Sequence, residues 1–251
     1  MQLQLRKYKS VNSTNTVARR MAEEGAEEGT VIVADVQTGG HGRMQRVWSS
    51  PVGGLWFSLI LRPQIDPRYV AQITLLAGVA VAKALRCLYQ TDEIRIKWPN
   101  DLLLKDKKVT GILAEMQLTA DQEVDYVIVG IGVNVDPPMD DLPEEVKAKA
   151  ASLNRSLNKF YSCETVLDVI LKEFSKTYQL WAQNGNDAVI SLWKKMNGTL
   201  GKTVLVLDED RVIFSGTAVA LDAEGALLVK NETGQEASFN FGEISIQYGN
   251  R

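Results

Sequence analysis

The sequence predicts an α/β (α+β) protein in which a mixed β-sheet flanked by helices is followed by a small β-barrel. The first observation is that apolar runs of strand length alternate with segments of helical periodicity up to residue 197. The second is a change after Asn197-Gly198, where short β-rich runs separated by polar turns occupy about fifty residues. Because the two patterns belong to different architectures, we expect two domains, residues 1–197 and residues 198–251.

Local patterns predict the elements of the first part. A helix is expected after Ser13, because apolar residues repeat there at helical spacing behind side chains that suit a helix cap. A strand at 124–135 contains Gly130 and Gly132, which are expected to break it. The other predicted elements are strands at 31–34, 55–61 and 93–98, a hairpin of 102–104 with 109–116, and helices at 69–89, 164–181 and 187–196.

Composition indicates an ordinary globular protein. Of the 251 residues, 45% are hydrophobic and 24% are charged, which argues against disorder and coiled coils. The chain has 28 Lys and Arg against 31 Asp and Glu, a net charge of −3. A slightly acidic chain has no overall attraction for nucleic acid or an anionic membrane, so we expect neither as a partner.

Cysteine content and hydropathy predict a cytoplasmic protein. Cys87 and Cys163 lack the paired spacing of a disulfide framework, and His41 is the only histidine, so no zinc site is expected. The N-terminus lacks the apolar run of a secretory signal. The longest uncharged apolar stretch, residues 70–82, is too short to span a bilayer.

Two nucleotide-binding motifs are incomplete. Residues 198–203 end in Gly-Lys-Thr like a P-loop, but two residues separate the glycines where four are needed. Gly130-Ile131-Gly132 follows a strand, yet Val135 stands at the third glycine position of a dinucleotide fingerprint. Neither segment is therefore assigned to phosphate binding.

The loop from Gly39 to Trp48 combines glycines with positive charge. Its glycines expose backbone N–H groups to an anion, and Arg43 and Arg46 add planar guanidinium groups that suit phosphate or carboxylate oxygens. Trp48 offers a surface on which a heterocycle stacks. On spacing alone, a solvated surface loop with a tryptophan in the core remains the alternative interpretation.

Three further segments place polar groups at the ends of strands. In residues 97–101, Lys-Trp-Pro-Asn-Asp, a proline turn presents Asn100 and Asp101, and the Asp101 carboxylate suits Mg²⁺. Lys108 opens the strand that runs into Gly111-Ile112-Leu113, and residues 130–134 end in the amide of Asn134. Taken singly, the first two are more typical of a plain turn and a solvated lysine, and the third is as typical of a core strand.

Taken together and in this order, the segments resemble the biotin–protein ligases. The similarity covers nearly all of residues 1–197, and the small β-domain lies where this family has an SH3-like barrel. The basic loop, followed about fifty residues later by Lys-Trp-Pro-Asn-Asp, is a specific combination. The matching residues are Ser13-Thr14-Asn15, Gln37, Gly40-His41-Gly42-Arg43, Arg46, Trp48, Ser50-Pro51, Gly53-Gly54-Leu55, residues 97–101, Lys108, Gly111-Ile112-Leu113 and residues 130–134.

The resemblance implies a two-step activity that uses ATP and biotin as substrates, with Mg²⁺. Biotin and ATP give biotinyl-5′-AMP and pyrophosphate, and the biotin then passes to a specific lysine of a biotin carboxyl carrier domain. The implied biotin-binding residues are Ser13, Thr14, Asn15, Gln37, Gly40, His41, Gly42, Arg43, Lys108, Gly111, Ile112 and Leu113. The implied ATP- or adenylate-binding residues are Arg43, Arg46, Trp48, Lys97, Asn100 and Asn134, and the implied catalytic residues are Lys108, Arg43 and Asp101.

The chemistry explains why such a site needs cations. A biotin carboxylate must attack the α-phosphate of ATP, so two anions approach each other, and positive charges placed in advance lower that cost. We expect Lys108 to bridge the two reactants and Arg43 to hold phosphate, with support from Lys97 and Arg46. Asp101 is expected to anchor Mg²⁺. No base is evident for the transfer step, and that role stays open.

The adenylate loop departs from the family's usual Gly-Arg-Gly-Arg-Arg-Gly-Arg. His41 replaces the first arginine, Met44 the third, and Gln45 a glycine, whereas Arg43 and Arg46 remain. Two fewer cations are expected to weaken retention of the adenylate, and one glycine fewer to stiffen the loop.

Other functions and assemblies remain as alternatives. A lipoate- or octanoate-protein ligase of related fold is the nearest, although the proline turn followed by Gly-Ile-Leu favours biotin. A DNA-binding repressor is not expected, because only 12 residues precede Ser13, fewer than a helix-turn-helix needs; the expectation is a monofunctional ligase without an N-terminal DNA-binding domain. A biotin-binding module without catalysis is the third alternative. The resemblance also suggests a homodimer through sheet edges.

Overall fold

The computed structural model describes residues 1–208, 211–240 and 244–248. Its strands form two β-sheets. The strands are β1 (Gln4–Val11), β2 (Thr30–Gln37), β3 (Leu55–Leu61), β4 (Ile94–Lys97), β5 (Asp101–Leu104), β6 (Lys107–Leu118), β7 (Val124–Val133), β8 (Thr203–Asp208), β9 (Arg211–Leu221), β10 (Leu227–Lys230), β11 (Glu236–Phe239) and β12 (Ile244–Tyr248). The α-helices are α1 (Thr14–Glu23), α2 (Ala71–Tyr89), α3 (Glu144–Lys149), α4 (Leu153–Leu157), α5 (Cys163–Asn184) and α6 (Asn186–Met196).

The larger sheet is mixed and has helices on both faces. In the described residues it has seven strands in the order β1-β2-β3-β7-β6-β5-β4, with β1 and β2 parallel and the other neighbours antiparallel. The central strand β3 is buried at every position: Leu59 packs in the cluster of α2 and α5, and Ile60 in the cluster of α1. Because alternate side chains of a strand point to opposite faces, a wholly apolar strand requires cover on both sides. The predicted fold class is confirmed.

Helix α2 is the central element of the larger core. The segment Pro67–Tyr89 is long and apolar enough to cross a membrane by length and composition, but 78% of its most apolar window is buried inside the protein. It packs against α5, α6 and the sheet. The predicted helix began at residue 69; residues 67–69 instead form a 3₁₀ turn that precedes α2.

The expectation that Gly130 and Gly132 break their strand is wrong. Strand β7 runs through both glycines and pairs regularly, with Gly130 opposite Leu113 and Gly132 opposite Gly111. An added Cβ would lie 2.1 Å from Asn15 Oδ1 at Gly130 and 2.6 Å from Trp48 Nε1 at Gly132. The glycines therefore make room for side chains that lie on the sheet. The strand ends at Val133 rather than at residue 135.

Strand β1 and helices α3 and α4 are not among the predicted elements. Strand β1 is a largely exposed edge strand, and its charged residues leave no clear alternation of apolar and polar side chains. Helices α3 and α4 have only six and five residues, too few to show a helical period. The sequence does offer a start signal for α3, because Pro143 is followed by Glu144 and Glu145.

The C-terminal sheet is antiparallel, as predicted for the small β-domain. Among the described residues its strands follow the order β11-β10-β9-β8-β12, so that four consecutive strands form a meander and the last returns beside the first. Its buried residues Val204, Val206 and Val229 belong to the same hydrophobic cluster as the larger sheet. The division into domains of residues 1–197 and 198–251 stays a prediction.

The turn after β4 is held by the C-terminal part of the chain. Trp98 is fully buried; its backbone N–H donates to Thr199 Oγ1 at 2.9 Å and its indole N–H to the Gly225 carbonyl at 3.2 Å. In the same region Tyr248 Oη donates to the Gly198 carbonyl at 2.7 Å. The two Trp98 contacts join the segment 97–101 to residues a hundred or more positions away.

We expect Trp98→Phe to destabilise the protein more than Trp193→Phe, although both tryptophans are fully buried. The first change leaves the Gly225 carbonyl without its donor, whereas the indole N–H of Trp193 has no hydrogen-bond partner in the described part of the chain. The difference in free energy of unfolding should be about 1–3 kcal/mol, measured by urea denaturation. Equal losses for the two variants would contradict a stabilising role for the Trp98 hydrogen bond.

Candidate functional site

A cavity of about 670 Å³ gathers most of the residues singled out from the sequence. It lies between the basic loop, the turn 97–101, strands β6 and β7, helix α3 and strand β12. The predicted residues that line it are Thr14, Asn15, Gln37, His41, Gly42, Arg43, Arg46, Trp48, Lys97, Asn100, Asp101, Lys108, Gly111, Ile112, Leu113 and Asn134. Segments more than a hundred positions apart thus share one chamber.

Two predicted biotin-binding residues do not line the cavity. Ser13 is buried at the N-terminus of α1, where its carbonyl accepts from the N–H of Val17 at 3.1 Å. Gly40 is buried within the loop, and a Cβ there would lie 2.6 Å from the Trp48 carbonyl oxygen. Both residues are therefore buried next to segments that line the cavity without lining it themselves.

Lys108 lies at the centre of the charged end of the cavity. Its Nζ is 2.6 Å from Asp101 Oδ1 and 4.9 Å from the centre of the Trp48 ring. The hairpin of β5 and β6 produces this contact, because the residues flank the same turn on adjacent strands. With the Lys108 side chain 30% exposed and Asp101 20%, the pair is only partly screened by solvent.

Arg43 and Lys97 extend the positive charge along the same wall. An Nη1–H of Arg43 donates to Asn100 Oδ1 at 3.4 Å, and Asn100 itself donates to the Ile112 carbonyl at 2.8 Å. Burial lowers the pKa of the Arg43 guanidinium, an effect that Asp101 opposes and Arg46 reinforces. Burial also lowers the pKa of the Lys97 ammonium, again opposed by Asp101.

The cavity is positive although the chain is acidic. In the described residues, the cationic side chains that line it are Arg43, Arg46, Lys97, Lys108 and Lys149, and the carboxylates are Asp101 and Glu145. Five cations against two carboxylates leave an excess of positive charge, in a protein whose net charge is −3. Such local charge attracts and holds anions independently of the protein's overall charge.

Trp48 covers two glycines that face each other across strands β6 and β7. A Cβ on Gly132 would lie 2.6 Å from Trp48 Nε1, and one on Gly111 would lie 2.9 Å from Trp48 Cζ3. The indole also meets Trp56 edge-on, with ring centres 6.3 Å apart. Its Nε1–H has no hydrogen-bond partner in the part of the chain that the structure describes. Only glycines leave room for this indole position.

The far end of the cavity is polar and hydrogen-bonded. Gln37 Oε1 accepts from the backbone N–H of Thr14 at 2.8 Å, and Gln37 Nε2 donates to Ser50 Oγ at 2.8 Å. Ser58 Oγ, fully buried, lies 2.6 Å from Asn15 Oδ1 and 2.7 Å from Thr14 Oγ1. These bonds fix the polar groups of this wall before any ligand arrives.

Asn134 and the basic loop complete the walls. Asn134 Nδ2 donates to the Lys108 carbonyl at 3.4 Å, which ties the end of β7 to the start of β6. In the loop, Met44 and Gln45 adopt left-handed backbone conformations, with φ of 55° and 54°. Because the family's usual residue at Gln45 is glycine, this substitution places a side chain where glycine has the conformational advantage.

Sequence reasoning missed the lining residues from α3, its flanking positions and β12. They are Leu142, Glu145, Val146, Lys149, Ala150, Ile246 and Tyr248. The Tyr248 ring lies 5.1 Å from Lys97 Nζ and 4.2 Å from Lys202 Nζ, so that the C-terminal sheet contributes to the charged end. No local motif marks these residues, because their position depends on packing between distant segments.

A protein-built metal centre is not among the features of the described residues, which contain no group of three or more Asp, Glu, His or Cys arranged to hold an ion. Asp101 is the carboxylate beside the catalytic candidates, and Lys108 already pairs with it. This set fits Mg²⁺ only as an ion carried on ATP phosphates with one protein carboxylate, a common arrangement for Mg²⁺.

Comparison with known sequences identifies the family. Residues 8–134 match the biotin/lipoate A/B protein ligase family, and residues 199–246 match the biotin protein ligase C-terminal domain. The chain belongs to the biotin/lipoate A/B protein ligase family. The second match places it among the biotin–protein ligases, as the resemblance implied.

Individual relatives agree with this assignment. The chain is 40% identical over 227 residues to the bifunctional ligase/repressor BirA of Bacillus subtilis, covering 89% of this chain and 68% of that protein. It is 30% identical over 230 residues to the biotin–[acetyl-CoA-carboxylase] ligase of Paracoccus denitrificans, covering 90% and 93%. The biotin protein ligase of Aquifex aeolicus, solved with biotin and ATP, superimposes with a TM-score of 0.83 at 32% identity over 98% and 99% of the two chains.

We expect Gly132→Ala to push the Trp48 indole off the sheet of this ligase, because the new methyl group would overlap the ring. The measurement is tryptophan fluorescence with acrylamide quenching, in which the variant should show a more accessible indole than the parent protein. The control is the same substitution in a Trp48→Phe background, where the change in quenching should disappear. A change that persists there would locate the disturbance at another tryptophan.

Proposed function

We propose that this biotin–protein ligase joins biotin to ATP through Lys108 and Arg43, and then transfers biotin to a carrier lysine. In this proposal the ammonium group of Lys108 contacts both the biotin carboxylate and the α-phosphate. Arg43 holds phosphate oxygens, with Lys97 and Arg46 in support. The carboxylate oxygen attacks the α-phosphorus, and pyrophosphate leaves with the electrons of the broken P–O bond.

The observation that carries this proposal is the excess of positive charge in one cavity of a family member. Two anions must meet in the first step, and their repulsion falls when fixed cations are already in place. Asp101 supports the arrangement by holding the Lys108 ammonium in one position, 2.6 Å from Oδ1. Asp101 would be the protein ligand of a Mg²⁺ ion bound to ATP, and that ion would neutralise polyphosphate charge.

The polar end of the cavity is proposed as the site for the biotin rings. Thr14, Asn15 and Gln37 supply hydrogen-bonding groups there, and Ile112 and Leu113 supply apolar wall. Trp48 and Asn134 border the nucleotide. Ser13 and Gly40 are left out of the proposed contacts, since neither lines the cavity.

The acceptor, the cellular compartment and the assembly are proposed from features outside the cavity. The acceptor is a biotin carboxyl carrier domain, in keeping with the acetyl-CoA-carboxylase ligase of Paracoccus denitrificans. Both cysteines are free thiols, Cys87 exposed and Cys163 half-buried, which suits a reducing cytoplasm. Strand β1 is an edge of the larger sheet, and edge strands are common sites of pairing with a second copy, so a homodimer is the proposed assembly.

Lys108→Ala should reduce biotin-dependent pyrophosphate exchange by about 10²–10³, the usual effect of removing one preorganised charge. Arg43→Ala should fall on the same scale. The matched control is Lys107→Ala, because Lys107 is its exposed neighbour on β6 and does not line the cavity. Near-normal exchange by a folded Lys108→Ala enzyme would falsify the role assigned to this lysine.

Biotin should be preferred to lipoate as the activated acid. The assay is pyrophosphate exchange with both acids in competition, followed by an avidin blot of a carrier domain incubated with ATP and Mg²⁺. We expect exchange that depends on biotin and is not displaced by equal lipoate. Preferential activation of lipoate or octanoate would assign the chain to the related ligases, and binding without exchange would leave a biotin-binding module.

A further inference from the structure

A line of hydrogen bonds leads from the polar end of the cavity to a carboxylate outside it. Asn15 Nδ2 donates to Glu115 Oε2 at 2.6 Å, and Asn15 Oδ1 lies 2.6 Å from Ser58 Oγ. The other carboxylate oxygen, Glu115 Oε1, pairs with Arg19 at 2.7 Å. Asn15 lines the cavity, whereas Glu115, Ser58 and Arg19 do not.

The number of available protons decides which atom donates and which accepts in each of these hydrogen bonds. A carboxylate only accepts hydrogen bonds, so Glu115 requires the nitrogen end of the Asn15 amide to face it. The amide oxygen of Asn15 therefore faces Ser58 and can only accept. Ser58 has one hydroxyl proton, and since the amide oxygen of Asn15 can only accept, that proton goes to Asn15. The Thr14 hydroxyl, which also lies 3.1 Å from Gln37 Oε1, then donates to Ser58, and Gln37 Oε1 keeps the backbone N–H of Thr14 as its donor.

The orientation decides what Asn15 offers to a ligand. Its oxygen lies against the sheet, since a Cβ on Gly130 would be 2.1 Å from Oδ1. Of the two Nδ2 hydrogens, the described contacts use one, in the bond to Glu115. The remaining N–H is a donor, and its natural partner is a carbonyl oxygen such as that of the biotin urea.

We propose that Glu115 is a positioning residue that keeps Asn15 turned as a donor and thereby selects a ring carbonyl over a ring N–H. Glu115 does not touch the ligand. It acts through the Asn15 amide, and Ser58 secures the opposite end of that amide. This inference rests on the proposed biotin site.

The decisive variant is Glu115→Gln, which keeps size and shape. A glutamine both donates and accepts, so it permits either orientation of Asn15. The probes are biotin and 2-iminobiotin, in which a nitrogen bearing hydrogen replaces the carbonyl oxygen. The dissociation constant of each is measured by calorimetry on the full chain without ATP.

In Glu115→Gln, we expect weaker binding of biotin and little change in the binding of 2-iminobiotin. The dissociation constant of 2-iminobiotin divided by that of biotin should therefore fall by about tenfold, so that the ratio narrows. This is the scale of one hydrogen bond to a charged group. The matched control is Arg19→Gln, which removes the ion pair but leaves Oε2 on Asn15; its ratio should stay within about twofold, as for an exposed pair.

A purely structural role of Glu115 would change the two dissociation constants in a different pattern. If Glu115→Gln weakens both ligands equally, or neither, the positioning role is wrong. If Arg19→Gln narrows the ratio as much as Glu115→Gln, the ion pair and not the Asn15 contact is responsible, which also overturns the proposal. Thermal unfolding of each variant verifies the fold. Failure of the parent chain to bind biotin would refute the proposed function itself, a result distinct from an unchanged ratio.

Discussion

The charged end of the cavity depends on the ion pair in which the Asp101 carboxylate holds the Lys108 ammonium in place. Lys108 and Asp101 lie 2.6 Å apart on the adjacent strands β6 and β5, each of which is paired on both sides in the larger sheet. Without Asp101, an ammonium among Arg43 and Lys97 would be repelled toward solvent. With it, the positive charge stays directed along the wall. A partly exposed pair of this kind contributes little to stability, and its value lies in fixing the position of a charge.

The glycines of the site serve the side chains around them rather than the flexibility of the backbone. Gly111 and Gly132 give Trp48 a flat surface across two strands, and Gly130 does the same for Asn15. Both large groups thereby lie on the sheet and leave the cavity open above them. A strand can thus carry glycines in its interior without breaking, provided that neighbouring side chains occupy the vacated space.

The C-terminal sheet belongs to the site as well as to the fold. Tyr248 lies against both Lys97 and Lys202, and Trp98 of the proline turn is bonded to Thr199 and Gly225. The turn that presents Asn100 and Asp101 is therefore braced from a different sheet.

The sequence by itself determined the elements and the chemistry-bearing segments. Strand β3 coincides with its predicted bounds because an all-apolar run needs no distant partner to be recognised, and the loop and the Lys-Trp-Pro-Asn-Asp turn are contiguous patterns. Tertiary structure alone decided that Ser13 and Gly40 do not line the cavity, that Tyr248 does, and that Glu115 reaches Asn15. Local periodicity reflects which face of a segment is buried, whereas these contacts join residues up to a hundred or more positions apart and arise only when the segments pack.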